Sequence, residues 1–300
     1  MADQKKIVIF DTDIGPDCDD VGALMMLLHM EQAGLCRLAA ITHSTSSPFG
    51  CGCADAICRA EGRADIPIGT LKRGGVCCRF ADGRYNEVIS GLYQHRFSDG
   101  TEAPDAVRVI RKAMAENDEV LLIAVGPLGN IADFLQSGPD DLSPLSGVEL
   151  ARAKCPRFVC MGGMLSGNRR EFNFIVEPDA TRTVLSQWPT EIEFSEFFLG
   201  EDVVTVATLS QTLGRLHPAA LAYALYSPQG RASFDQTAVY QAIFPENELF
   251  RASERGRMSL GENDTTVWTA DPLGKHRWYD KAADKETIAA EIDAWMLKRA

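Results

Sequence analysis

Five carboxylates crowd into the string DTDIGPDCDD: Asp11, Asp13, Asp17, Asp19 and Asp20. Ionised together, groups this close repel one another. A bound cation relieves that repulsion, and a donor set made only of oxygen selects a hard one. Helix capping is the simpler use of an acid, and Asp19 and Asp20 at a helix start would suit its dipole. Capping accounts for one or two of the acids, not five. The spacing is not that of an EF-hand, because no glutamate closes a twelve-residue loop. It is not a phosphate-binding P-loop, because no Gly-Lys-Ser/Thr follows.

The flanking residues say how the acids are carried. Residues 7–10, Ile-Val-Ile-Phe, read as a strand buried on both faces. Gly15 and Pro16 force a turn. Residues 21–28 read as a helix apolar on most sides. The acids therefore occupy the loop at the carboxyl end of a central strand, which is where open parallel sheets bind ligands.

Three later places repeat this geometry. Residues 119–125 (EVLLIAV) read as a buried strand running into Gly126-Pro127, where exposed carbonyls could serve a hard cation. Residues 157–161 read as another buried strand, followed by a loop offering Asn168, Glu171 and Asn173 to a polyhydroxylated ligand. Asp235 precedes an apolar helix; an acid there is most often an N-cap, and gains weight only if the sheet brings it to the first cluster.

Further strands are expected at 37–44, 66–70 and 191–197, and helices at 53–61, 105–117, 131–136, 178–188, 237–244 and 280–299. From residue 202 the chain reads as helix broken by Gly214 and Pro218. Strand and helix alternate through the first two-thirds, so the fold class is α/β, with a mostly parallel central sheet flanked by helices. A single domain over 1–300 is expected, with an irregular excursion around 71–100 and a hairpin-like one around 251–279.

A net charge of −12 argues against nucleic acid or an anionic membrane as partner. No apolar run reaches membrane-spanning length. The first strand starts too early for a signal peptide, and the nine cysteines are odd in number, so a reduced, cytoplasmic setting is expected. Cys51, Cys53, Cys77 and Cys78 have no partner pair at zinc-finger spacing.

DTDIGPDCDD resembles the DTDPGxDD signature of the inosine-uridine type nucleoside hydrolases. The resemblance continues through AVGPLGNIADF, MGGMLSGNRREFNF with EPDAT behind it, and FDQTAVYQAI, in the same order along the chain. It implies a calcium ion at the bottom of a pocket and cleavage of the N-glycosidic bond of a ribonucleoside to ribose and free base. Carried over residue by residue, it implies that Asp13 binds calcium and acts as general base on the attacking water. Asp20, the Val125 carbonyl and Asp235 would complete the calcium shell. Asp19 would hold a ribose hydroxyl, and Asn168, Glu171 and Asn173 would grip the sugar. By analogy the chain would be a homo-oligomer, a dimer or tetramer, acting on a nucleoside or other ribose-containing small molecule.

Three departures stand out. Two extra residues precede the final acid pair, which leaves both Asp17 and Asp19 as candidates for the ribose contact. Phe234 replaces the histidine that helps protonate the leaving base in purine-cleaving relatives. The Ser46-Ser47 loop lacks the usual asparagine. Tyr240, His43, His95 and arginines of the 71–100 excursion are candidate proton donors. Asp271, in WTADPLG, is a second candidate for the last ligand, less favoured because it sits in a turn-rich segment. Two alternatives accompany the hydrolase reading: a calcium-dependent sugar or nucleoside binder without catalysis, and a haloacid-dehalogenase-type phosphatase with Asp11 as nucleophile.

Overall fold

The computed structural model describes residues 5–76, 85–166, 169–206 and 209–297. The apolar run at the start of the chain becomes β1 (Lys6–Thr12), whose last five residues are buried. Val8 and Phe10 enter one hydrophobic core and Ile9 enters another, so both faces of the strand are covered. β2 (Cys36–His43), β3 (Ile68–Thr70), β4 (Leu121–Ala124), β5 (Arg157–Met161) and β6 (Glu191–Ser195) lie parallel to it. The spatial order is β3-β2-β1-β4-β5-β6. The chain winds outward from β1 to β3, returns to β4 beside β1, and winds the other way. That reversal opens a crevice between the carboxyl ends of β1 and β4, and a ligand site is expected there.

The expected helices form, with ends shifted by a few residues. Four segments differ from the sequence reading. The excursion around 71–100 contains a helix, Tyr85–Leu92, while its residues 77–84 lie outside the described ones. A helix at Gly147–Lys154 was not expected, although Ser146 and Glu149 form a capping box that marks its start. β7 (Val204–Thr205) and β8 (Arg231–Ala232) make a small antiparallel ribbon inside the stretch read as helical. Finally, the 251–279 segment is not a separate excursion. After β9 (Phe250–Ala252), β10 (Gly256–Leu260) and β11 (Thr266–Ala270) do form a hairpin, but β12 (His276–Lys281) pairs in parallel with β6 and extends the main sheet. Tyr279 donates its hydroxyl to Glu193 at 2.9 Å, a partner 86 residues upstream that local patterning could not reveal.

The helix Asp19–Gln32 carries the second half of the acid string and is buried along almost its whole length. Its large apolar side chains each contribute about 1.5–3 kcal/mol when fully buried. That contribution offsets the cost of holding Asp19 and Asp20 away from water. It packs against the helix Phe234–Ile243, which carries Asp235. Gly22 faces the side-chain ends of its neighbours: a Cβ there would lie 2.6 Å from the Tyr223 hydroxyl and 2.6 Å from Met296 Cε, with Gln236 closer still. Gly22→Val should therefore overpack this junction and lower the unfolding free energy by about 1–3 kcal/mol in urea denaturation. A variant as stable as the parent would contradict the close approach.

Candidate active site

Four elements converge on the crevice. β1 leads into Asp13 and β4 into Val125, and the two packed helices carry Asp19, Asp20 and Asp235 in their first turns, although Asp20 is not among the residues that line the cavity. The helix N-termini favour this placement, since their unpaired backbone N–H groups attract negative charge. Asp13, Asp19, Asp20 and Asp235 are each no more than 4% exposed. Asp13, Asp19 and Asp235 share one cavity of about 410 Å³ with Asp17, Glu171, Asn173 and Val125. That volume suits a small polar ligand with a flat ring.

Close approach of β1 and β4 depends on Gly126. A Cβ at that position would fall 2.8 Å from the Asp13 backbone nitrogen and 3.0 Å from Asp13 Cβ. The acid loop is propped from outside by the helix Tyr85–Leu92: Tyr85 donates its hydroxyl to the Asp17 carbonyl at 2.6 Å, and Asn86 its amide to the Ile14 carbonyl at 3.2 Å.

Burial pushes the carboxyls of Asp13, Asp19, Asp20 and Asp235 well above their usual range, and their mutual charge adds to it. Asp235 feels Asp19, Asp20, Asp17 and Asp13, which is the convergence that its place before an apolar helix could not establish alone. One Asp20 oxygen accepts from the Thr12 hydroxyl, while the other is buried with no partner. The donor set is thus all oxygen, negatively charged and incompletely satisfied, which is the chemistry of a hard-cation site. As the side chains stand, no group of three or more His, Cys, Asp or Glu among the described residues is gathered to hold a metal ion. The fit is one of donor chemistry.

Other expected residues find more specific places. Glu171 caps the helix Phe172–Val176, accepting from Asn173 and Phe174 backbone nitrogens at 2.7 and 3.1 Å and from Gly163 at 3.2 Å. Burial nevertheless pushes it up to about 7. Asn173 donates its side-chain amide to the Val125 carbonyl at 3.0 Å and to the Met161 carbonyl at 3.3 Å, tying the ends of β4 and β5 together. Both residues line the cavity, but their backbone bonds give them a structural task beside any contact with a sugar. Asn168 lies outside the described residues.

The structure separates Asp17 from Asp19. Asp19 is buried, whereas the Asp17 side chain is 30% exposed and paired with Arg231. Arg231 also reaches Asp19 Oδ1 from Nε at 3.4 Å. Burial disfavours its charge, but Asp19 and Asp17 together hold the guanidinium firmly in the charged form. Its face lies 5.7 Å from the ring of Tyr226 and 5.4 Å from that of Phe234. Phe234 stacks on Phe197 with centroids 5.0 Å apart. Arg231, Tyr226, Phe197 and Phe172 were not singled out in the sequence. The surplus acid at Asp17, which calls for a counter-cation, was the available signal for Arg231.

Several of the alternatives weighed in the sequence drop out. Asp271 is tied to Arg257 at 2.6 Å in the β10–β11 hairpin and takes no part in the cavity. His43 is buried, held down to about 4 by burial, and lies off the cavity lining. His95 bonds to Ser90, and Tyr240 points to Glu291 at 3.5 Å. Asp11 is fully buried off the cavity, bonded by Thr42 and by Asn130 at 2.8 Å, so it cannot serve as the phosphatase nucleophile. The cysteines among the described residues are unpaired and buried, and none belongs to a metal cluster.

The family model described as inosine-uridine preferring nucleoside hydrolase matches residues 8–273. The chain belongs to that family. By that membership it falls in the glycosidase class, among the N-ribosyl hydrolases. Among solved structures it is similar to an inosine-uridine preferring nucleoside hydrolase from Bacillus anthracis, with TM-score 0.72 and 16% identity over 97% of this chain and 99% of that one. A purine-preferring ribonucleoside hydrolase from Gardnerella vaginalis gives TM-score 0.72 and 17% identity over 97% and 98%. A plant nucleoside hydrolase, PpNRh1, gives 0.69 and 18% over 98% and 99%. No curated protein matches the chain. No helix among the described residues is long and apolar enough to cross a membrane.

The raised carboxyls fix the sign of a pH effect. A carboxyl whose folded pKa lies above its unfolded value binds its proton more tightly in the folded state. Its stabilising contribution is complete below the unfolded carboxylate range and is lost as pH rises through the folded pKa. For Asp11 and Glu171 that upper limit is about 7. Chelator-treated protein should thus lose unfolding free energy as pH rises from about 4 to about 7, measured by denaturant titration. Stability that is flat or rising over this interval would contradict the buried-acid description.

Proposed function

We propose that the cavity is the active site of a calcium-dependent hydrolase that cleaves the N-glycosidic bond of a ribonucleoside or related N-riboside. The single observation behind this reading is the meeting of Asp13, Asp19 and Asp235 at the bottom of a cavity whose mouth is aromatic. Asp13, Asp20, Asp235 and the Val125 carbonyl would hold the cation. When bound, calcium supplies a positive centre that orients sugar hydroxyls and acidifies a water.

The chain's own residues supply the rest. Asp13, whose buried carboxyl faces the cavity, takes the proton of the attacking water. Asp19, the buried member of the candidate pair, receives a ribose hydroxyl. The remaining negative charge favours the oxocarbenium-like state through which glycosidic bonds break. Phe197 and Phe234, stacked on each other, give the cavity an apolar aromatic side for the heterocycle, and Phe172 and Met164 help keep water away.

A second reading has one observation in its favour. No histidine lines the cavity, so a binder of ribose-containing ligands without turnover would also suit this site. One relative of the same fold, a type III effector protein XopQ, was solved as a complex with adenosine diphosphate ribose.

The two readings part in an assay of reducing sugar released from a panel of ribonucleosides. The hydrolase reading expects release that chelator abolishes and Asp13→Ala lowers by about 100-fold or more. Sugar release surviving both chelation and Asp20→Ala would contradict the metal-dependent site, and saturable ribose binding without release would favour the binder.

A further inference from the structure

The proposed reaction needs a group to receive the negative charge on the departing heterocycle, and the cavity offers no histidine for it. All five histidines of the chain are placed elsewhere. His29 and His217 meet Glu61, His43 bonds to Thr45 and His95 to Ser90. His276 accepts from the Met258 backbone within the sheet. Glu171 has both carboxylate oxygens taken by backbone N–H groups.

We propose that Arg231 is the leaving-group residue: its guanidinium donates N–H hydrogen bonds to the heterocycle as the glycosidic bond breaks and holds it as an anion. This rests on the hydrolase reading of the cavity. Three observations carry it. First, Arg231 lines the same cavity as Asp13, Asp19 and Asp235, with its guanidinium 5.4 Å from the centre of the Phe234 ring. Second, it is fixed in place by Asp17 and Asp19 and by the faces of Tyr226 and Phe234, so little reorganisation is needed at the moment of reaction. Third, a guanidinium has five N–H groups, and these two acids use only part of them, leaving donors without a protein acceptor among the described residues. Arg170 also lines the cavity, but it is exposed and has no anchoring ion pair among the described residues.

Arginine keeps its protons, so its part differs from that of an acid. The bond from C1′ to the ring nitrogen breaks with both electrons staying on the heterocycle. Water adds to C1′, and its proton passes to Asp13. The heterocycle leaves as an anion hydrogen-bonded to Arg231 and is protonated later from solvent. The favoured substrates are N-ribosides whose base can spread that charge from the departing ring nitrogen onto an exocyclic carbonyl oxygen. A pyridinium riboside, whose base departs neutral, gains nothing from Arg231.

Uridine and nicotinamide riboside therefore test the assignment, using the full chain with calcium. The wild-type enzyme should favour uridine. Arg231→Gln should lower kcat for uridine by about 100-fold with little change in KM, shifting the preference toward nicotinamide riboside by a similar factor. Arg231→Lys, which keeps the charge but loses the planar fork, should recover part of that loss. Equal losses on both substrates, a loss confined to KM, or a wild-type preference for nicotinamide riboside would overturn the proposal. Ribose release from neither substrate by the wild-type chain would instead remove the hydrolase reading on which it stands.

Discussion

Mutual repulsion among buried carboxylates is the constraint that the rest of this molecule answers. Asp13, Asp19, Asp20 and Asp235 sit where water cannot screen them, and each raises the cost of ionising its neighbours. Apolar packing holds them there. The helix Asp19–Gln32 is buried almost end to end and packs against the helix Phe234–Ile243, which carries Asp235. Gly126 lets the exits of β1 and β4 approach closely. Helix N-termini, the Thr12 hydroxyl and the Arg231 guanidinium each remove part of the repulsion, and an Asp20 oxygen is still left with no partner. A hard cation would satisfy what remains.

The site divides by burial. Its floor is acidic and little exposed. Its mouth is aromatic and partly open, with Phe197, Phe234 and Tyr226 around a clamped arginine. The two halves are joined through Asp17 and Asp19, which lie two residues apart in sequence yet face different work. Asp17 anchors Arg231 at the mouth, and Asp19 stays in the floor. The two additional residues in the acid loop thus supply a counter-ion for a side chain that arrives from β8, far along the chain.

Much of this was legible before any coordinates, because local pattern and physical task coincide at the floor. A run such as Ile7–Phe10 buries both faces only in a central strand, and acids directly after it must lie at that strand's carboxyl end. The same logic read β4 and Val125. Asp235 was less certain, since a helix N-terminus explains an acid there without any site; only the packing of two helices decides the matter. The mouth was not legible. Arg231 lies in the short stretch before an apolar helix with no pattern of its own, and its importance comes from Asp17 and Tyr226, which the fold brings to it. β12 escaped for a related reason: its parallel partner β6 lies far upstream, and nothing in the local turn chemistry distinguishes it from a third strand of a meander. Glu171 and Asn173 were read as sugar ligands, and the structure adds backbone duties that their residue types alone do not announce.

The central claim is that the buried acids form one divalent-ion site, and equilibrium calcium binding to chelator-stripped protein tests it most directly. About one calcium per chain is expected, with affinity lost when Asp235→Asn removes the ligand contributed from the far end of the sequence. A chain that takes up no calcium, or binds it equally well after that substitution, would contradict the claim.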